Sequence, residues 1–336
     1  MIYLKDDRLT ISFPELHPNA GVSIDLQRTL RLPDDGNTHH LPPGLGSFPL
    51  RHIEDYELGS HNALKQRGGL IMPMFQADAL WMYFHPEVRD EDSVEYPIAL
   101  KIGTGKICAV SGEDWTSSLN RDPQDYIVVP DQPWLDGYNV GDGIVSQFVA
   151  APLGESLTVE EQLGGSGDVG GIQIQAFPMK KSYFDELNSQ MAAPPVHMEI
   201  NGVMDYMKSD FMGLSGGGKM HQDIHEDEHE FSAWDQRVTE RCFITIANAN
   251  QWISITGEEP PISPISADAY TKAGLPWFSH YDADKKAIEG AKKLGKIKSF
   301  QSIKSQQGDS SWSKETITGS PKIVSTTSRQ VSSGSW

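Results

Sequence analysis

GIQIQAFP, residues 171 to 178, decides the fold class. Ile172, Ile174 and Ala176 alternate with Gln173 and Gln175, and a period of two belongs to an extended strand, where successive side chains project to opposite faces. The alternation predicts a sheet with one apolar face and one wet face. Similar runs bounded by Gly, Pro, Asp or Asn recur along the chain: YPIALKIG (96–103), DYIVVP (125–130), GIVSQFVAAP (143–152) and RCFITIANANQWISI (241–255). MIYLKDDRLTISF, the first thirteen residues, reads as two strands around a charged KDDR turn. Strands at this spacing, with no helix between each pair, argue against a doubly wound parallel sheet. The expected architecture is mainly β: a large antiparallel sandwich or distorted barrel with a few short helices.

Helical signals are fewer. SYFDELNSQM (182–191) opens with Ser182 and carries Asp185 three residues on, a capping-box start. FQADALWMYF (75–84) fits a short helix or a strand. DADKKAIEGAKKLGKIKSF, from Asp282, places Ile288, Ala291 and Leu294 on one helical face, with acids at its start and Lys292 and Lys293 near its end. It predicts a basic amphipathic helix over 281–300, after a single β-rich domain over 1–280. The last stretch, 301–336, is rich in Ser, Thr and Gly and reads as a linker or tail. Within it KIVSTTSRQV has strand character, so Lys322, Ile323, Val324 and Val331 are candidate assembly residues that add to a sheet edge.

The composition limits the function classes. The 336 residues suffice for one large or two ordinary domains, and 38% hydrophobic with 9% aromatic content is not a disordered composition. The net charge is −18. Residues 271 to 336 hold eleven Lys or Arg against five Asp or Glu, so the rest of the chain carries −24. Such a body repels nucleic acid and anionic membranes, while an acidic body with a basic end attracts a second copy of itself. No stretch of eighteen uncharged apolar residues is present and the N-terminus is charged from its fifth residue. A cytoplasmic protein without a membrane span or nucleic-acid partner is expected, with signal-independent export as the other route. Cys108 and Cys242 have no metal-ligand spacing and are too few for a disulfide scaffold.

GLSGGGKMHQDIHEDEHE (213–230) holds the two motifs nearest to chemistry. GLSGGGKM matches G-x-x-x-x-G-K but has Met220 where a phosphate loop needs Ser or Thr, so Lys219 and its glycines read as a flexible turn. His221, His225 and His229 follow at intervals of four, and on a helix they share one face able to grip a divalent metal such as zinc. Asp223 or Glu228 completes that shell, and His225-Glu226-x-x-His229 matches the zincin pattern, with Glu226 as the base. Five carboxylates in eight residues repel one another on a helix, and a solvated acidic segment is the competing reading. Ser215, in GLSGG (213–217), has no identifiable partner for nucleophilic chemistry. PDQPWLDGY and AGLPWFSHY offer Trp134, Tyr138, Trp277 and Phe278 as exposed aromatics for sugars or another protein, against packing at a core edge.

The stretches RTLRLPDDGNTHHLPPGLGSFPL (28–50), KIGTGKICAVSGEDW (101–115), YIVVPDQPWLDGY (126–138), QFVAAPLGESLTVEEQ (147–162), GGIQIQAFPMK and AGLPWF together resemble a family of soluble proteins with no assigned activity. The resemblance implies a domain over roughly residues 20 to 280 and no mechanism. Its pattern carries Tyr and Pro where this chain has the later histidines of HQDIHEDEHE, which weakens the metal reading. The leading expectation is a non-catalytic binding or self-assembling structural protein, a homo-oligomer joined by its tail. The alternatives are a metal-dependent hydrolase and a carbohydrate-binding β-sandwich.

Overall fold

The computed structural model describes residues 1–56, 62–88, 94–190, 212–261, 266–272, 277, 286–307 and 330–336. The chain opens with the expected hairpin, Ile2–Lys5 against Arg8–Ser12. Asp6 and Asp7 take φ of 50° and 58°, the left-handed turn whose twist matches that of the flanking strands. KIGTGK is likewise a tight turn, between Ile98–Thr104 and Ile107–Cys108.

Two ladders carry most of the order. One runs Ile2–Lys5, Arg8–Ser12, Gly21–Thr29, Ala79–Pro86, Ile144–Pro152, Met212–His221, antiparallel throughout. The other runs Arg51–His52, Leu70–Pro73, Glu240–Ala247, Ile172–Pro178, Ile98–Thr104, Ile127–Val129, with one parallel pair between Leu70–Pro73 and Glu240–Ala247. A Met212–Ile246 pairing joins them, so hydrogen bonds connect all seventeen described strands into one mainly antiparallel sheet. Ile24, Leu26 and Phe148 from the first ladder and Leu100, Ile102 and Ile174 from the second belong to one buried cluster. The mainly β expectation holds, and the helix Lys181–Gln190 forms, though it begins one residue before Ser182, which lies in its first turn and is not its cap.

Ile172–Pro178 is a strand without a wet face, because every residue of it is buried. It is flanked on both edges by other strands, and the polar side of its alternation is covered by loops. Gln173 donates to the Gly170 carbonyl and accepts from the Lys106 N–H; Gln175 donates to the Ser117 carbonyl and the Thr239 hydroxyl. Period two marks the faces of a strand, and hydrogen-bonding side chains let both be dry.

One open alternative is settled and three other expectations are corrected. FQADALWMYF ends in the strand Ala79–Pro86. The run 241–255 splits into the strand Glu240–Ala247 and the helix Ala249–Thr256, where Asn248 caps the helix by accepting from the Gln251 N–H. GLSGGGKM is the centre of the ten-residue strand Met212–His221. Its glycines serve close approach: a Cβ on Gly218 would lie 2.5 Å from the Pro33 carbonyl oxygen. Lastly, the basic helix over 281–300 does not form in its described part. Residues 286–291 are extended, followed by a single 3-10 turn, Leu294–Lys296, and the helix Phe300–Gln306. Gly290 lies flat against Gly141, an approach that a helix surface cannot make.

From residue 286 onward the described chain forms a belt around the sheet. Ala291 N–H donates to the Asn139 carbonyl, Phe300 is fully buried with Ala79, Val149 and Leu157, and Val331 is 4% exposed in the main core. The basic end therefore answers the acidic body within one chain, through Lys286–Glu226, Lys293–Glu113 and Lys304–Glu155.

Candidate functional site

The segment 221–229 is extended where the metal reading requires a helix. Gln222, Ile224 and Asp227 are buried while His221, Asp223 and His225 are not, the alternation of a strand. At about 3.3 Å per residue, histidines four apart stand roughly 13 Å from one another, too far to share an ion. Among the described residues no group of three or more His, Cys, Asp or Glu is placed to hold a metal.

Three buried glutamines hold the segment by imitating strand pairing. Gln124 accepts from the Asp227 N–H and donates to the His225 carbonyl. Gln132 accepts from the His225 N–H at 2.9 Å and donates to the Asp223 carbonyl. Gln222 accepts from the Asp136 N–H and donates to the Trp134 carbonyl. On the other edge the belt adds a true antiparallel contact, Glu226 N–H to the Lys286 carbonyl and Ile288 N–H to the Ile224 carbonyl. A cleft of about 500 Å³ opens where belt and segment meet the 110–124 loops. Its charged walls, among them Glu113, Glu226, Lys286 and Lys293, are paired with each other.

Several groups in and beside the acidic stretch have a structural duty. Asp227, whose side chain has no exposure, accepts from the Tyr126 hydroxyl at 2.6 Å, the Trp234 indole N–H at 2.9 Å and Arg121 at 3.2 Å. Burial, and after it the Asp227 charge, raises the Tyr126 phenol above its ordinary value. Glu226 pairs with Lys286. The His225 Nδ1 lies 2.9 Å from the Asp131 carbonyl, and the His229 ring packs edge-on against Trp234. Asp136 is fully buried, and burial pushes its carboxyl up to about 7 against the lowering effect of the Trp134 N–H.

The aromatic candidates separate. Tyr138 is buried, its hydroxyl 2.6 Å from the Thr104 hydroxyl, so it is not a displayed ring: its strand, Gly137–Gly141, turns it inward against Phe148. Trp134 and Trp277 are half-buried, and Trp277 packs against Tyr270. Phe278, Lys322, Ile323 and Val324 lie outside the described residues.

Sequence reasoning nominated Val331 but missed the rest of the docking arrangement at residues 330–336. Gln330 bridges Tyr3, Val331 N–H donates to the Ile2 carbonyl, and Gly69 N–H donates to the Ser332 carbonyl at 2.8 Å. Gly334 and Ser335 N–H groups donate to the Arg67 and Gln66 carbonyls at 2.8 and 2.9 Å. The chain ends with the Trp336 indole between Trp115 (centroids 5.8 Å apart), Phe243 (5.7 Å) and the Arg241 guanidinium (4.7 Å). Trp115 rests in turn over Lys101, a fully buried lysine held by Asp125 at 2.5 Å and by the Thr116 hydroxyl and Ser118 carbonyl at 2.7 Å each. The signal in the sequence was small: a valine, a glycine and a tryptophan spaced among serines at 331–336. A scan against protein-family models finds no match for the chain, and comparisons with curated proteins and with solved structures find none either.

Proposed function

We propose that this is a non-catalytic, self-assembling structural protein whose C-terminal tail docks on a neighbouring copy. The carrying observation is the mode of attachment of residues 330–336: main-chain hydrogen bonds to Ile2 and to residues 66–69, one buried valine and one aromatic anchor. This is strand addition, in which the acceptor recognises an extended segment whichever chain carries it. Exchange between two copies keeps every one of these contacts and makes a reciprocal dimer. A tethered tail competes at an effective concentration on the order of millimolar, so the docked tail is the closed form and exchange gains with protein concentration.

The non-catalytic part rests on how the nominated chemistry is used. Glu226, Asp227 and His225 are tied to Lys286, to Tyr126 and Trp234, and to the Asp131 carbonyl. Deleting residues 330–336 tests the assembly: oligomer size on a sizing column falls with the deletion. A monomer at all loadings before and after it contradicts the proposal.

A further inference from the structure

We infer that the groove beneath the C-terminus is a sequence-selective peptide site, reading the pattern Val-x-x-Gly-x-Trp at the end of a second copy of this chain; the second-copy assignment rests on the assembly reading above. Main-chain pairing holds any extended segment, so selectivity must come from the positions where side chains meet walls. Three positions do so. Val331 enters the main core and is 4% exposed. A Cβ on Gly334 would fall on the Gln66 carbonyl and the Arg67 backbone, so this position accepts glycine alone. Trp336 enters a box of two aromatic rings and a guanidinium, while Arg241 also donates to the Gly334 carbonyl at 3.2 Å and so ties two of the positions together.

The Trp115 and Phe243 walls of the box are held by contacts that do not involve Trp336. The Trp115 wall is seated on the Lys101–Asp125 pair, and the Phe243 wall belongs to the strand Glu240–Ala247, with the Arg67 guanidinium 5.5 Å from the ring centroid. Arg67 is itself fixed by donating to the Val169 and Asp168 carbonyls at 2.8 and 2.6 Å. A preorganised box loses little freedom when it takes up the indole. One fact points to a second copy as the occupant: each chain carries both the segment that fits and the groove that receives it.

The test uses the full-length Trp336→Ala chain as acceptor and a fluorescein-labelled peptide of residues 330–336, followed by anisotropy. The peptide is expected to bind this chain at least tenfold more tightly than wild type, whose own tail competes. On the same acceptor, peptides with Gly334→Ala or Trp336→Ala are expected to bind at least tenfold more weakly. The full-length Gly334→Ala chain serves as a second acceptor, and thermal melts confirm that both are folded. Equal affinity for all three peptides, or no binding to either folded acceptor, overturns the selectivity. Selective binding beside a wild-type chain that stays monomeric at every concentration upholds the groove and overturns both the second-copy assignment and the assembly reading.

Discussion

The Tyr126 hydroxyl donates a 2.6 Å hydrogen bond to the Asp227 carboxylate in a place with no solvent exposure. The same carboxylate accepts from Trp234, Arg121 and the His229 N–H, so one side chain from the acidic stretch fastens four others. Asp227→Ala leaves the Tyr126 hydroxyl and the Trp234 indole N–H buried and unpaired and is expected to cost about 3 kcal/mol or more in urea unfolding. Asp227→Asn, which keeps an acceptor, costs less. A loss below about 1 kcal/mol for the alanine variant means the hub is not structural.

Asp136 makes stability depend on pH in a definite direction. Burial raises its folded-state carboxyl to about 7 from an ordinary 3.8, so the native chain holds a proton that the unfolded chain releases. Its contribution is complete below about pH 4, falls as pH rises through this window, and levels off above about 7. Asp34 and Asp125 are raised by burial as well and act with the same sign. Asp136→Asn is therefore compared with wild type across the window: equal near pH 4 and more stable at pH 8 by about 2–4 kcal/mol. A difference that does not change between pH 4 and 8 contradicts the assignment.

Gln251 is buried in the helix Ala249–Thr256 with neither amide atom hydrogen-bonded. A desolvated amide without partners is a cost that an apolar side chain of similar size avoids. Gln251→Leu is expected to raise stability by about 1–2 kcal/mol in chemical denaturation. Destabilisation by a similar amount would show that the amide has a partner in solution.

Gly290 presses on the backbone of Gly141, with Lys286–Glu226 on one side of it and Ala291–Asn139 on the other. Gly290→Ala cannot be accommodated by a rotamer change, because the obstacle is main chain. Hydrogen exchange is expected to speed up at the Glu226, Ile288 and Ala291 amides, and stability to fall by about 2 kcal/mol. Unchanged protection at these amides would place the belt elsewhere.

Local rules made part of this fold legible in advance. The Asp6-Asp7 turn and the strand at 172–178 follow from short-range backbone preferences and period two. What stayed hidden depends on distant partners. Gly216 to Gly218 read as a turn because their reason, the approach of residues 32–33 and 146–149, lies elsewhere in the sequence. The residues from Lys286 to Lys293 have helical periodicity, but Gly290 is needed against Gly141 and the N–H groups nearby are taken by residues 139 and 224. The histidines kept their spacing of four while the glutamines of 124–132 drew the backbone straight, which removed the shared face. The terminal clamp needs Trp115, Phe243 and Trp336 together, and no window contains more than one of them.

Disulfide trapping across the Tyr3–Gln330 bridge tests tail exchange most directly, since Cys108 and Cys242 are buried and do not compete. A full-length Tyr3→Cys chain is mixed with a full-length Gln330→Cys chain, incubated at high concentration and oxidised. The account predicts a covalent dimer containing one of each chain, increasing with concentration and absent when Trp336 is replaced by alanine. A Tyr3→Cys/Gln330→Cys double variant that closes fully within its own chain, beside a mixture that yields no heterodimer at any concentration, would contradict it.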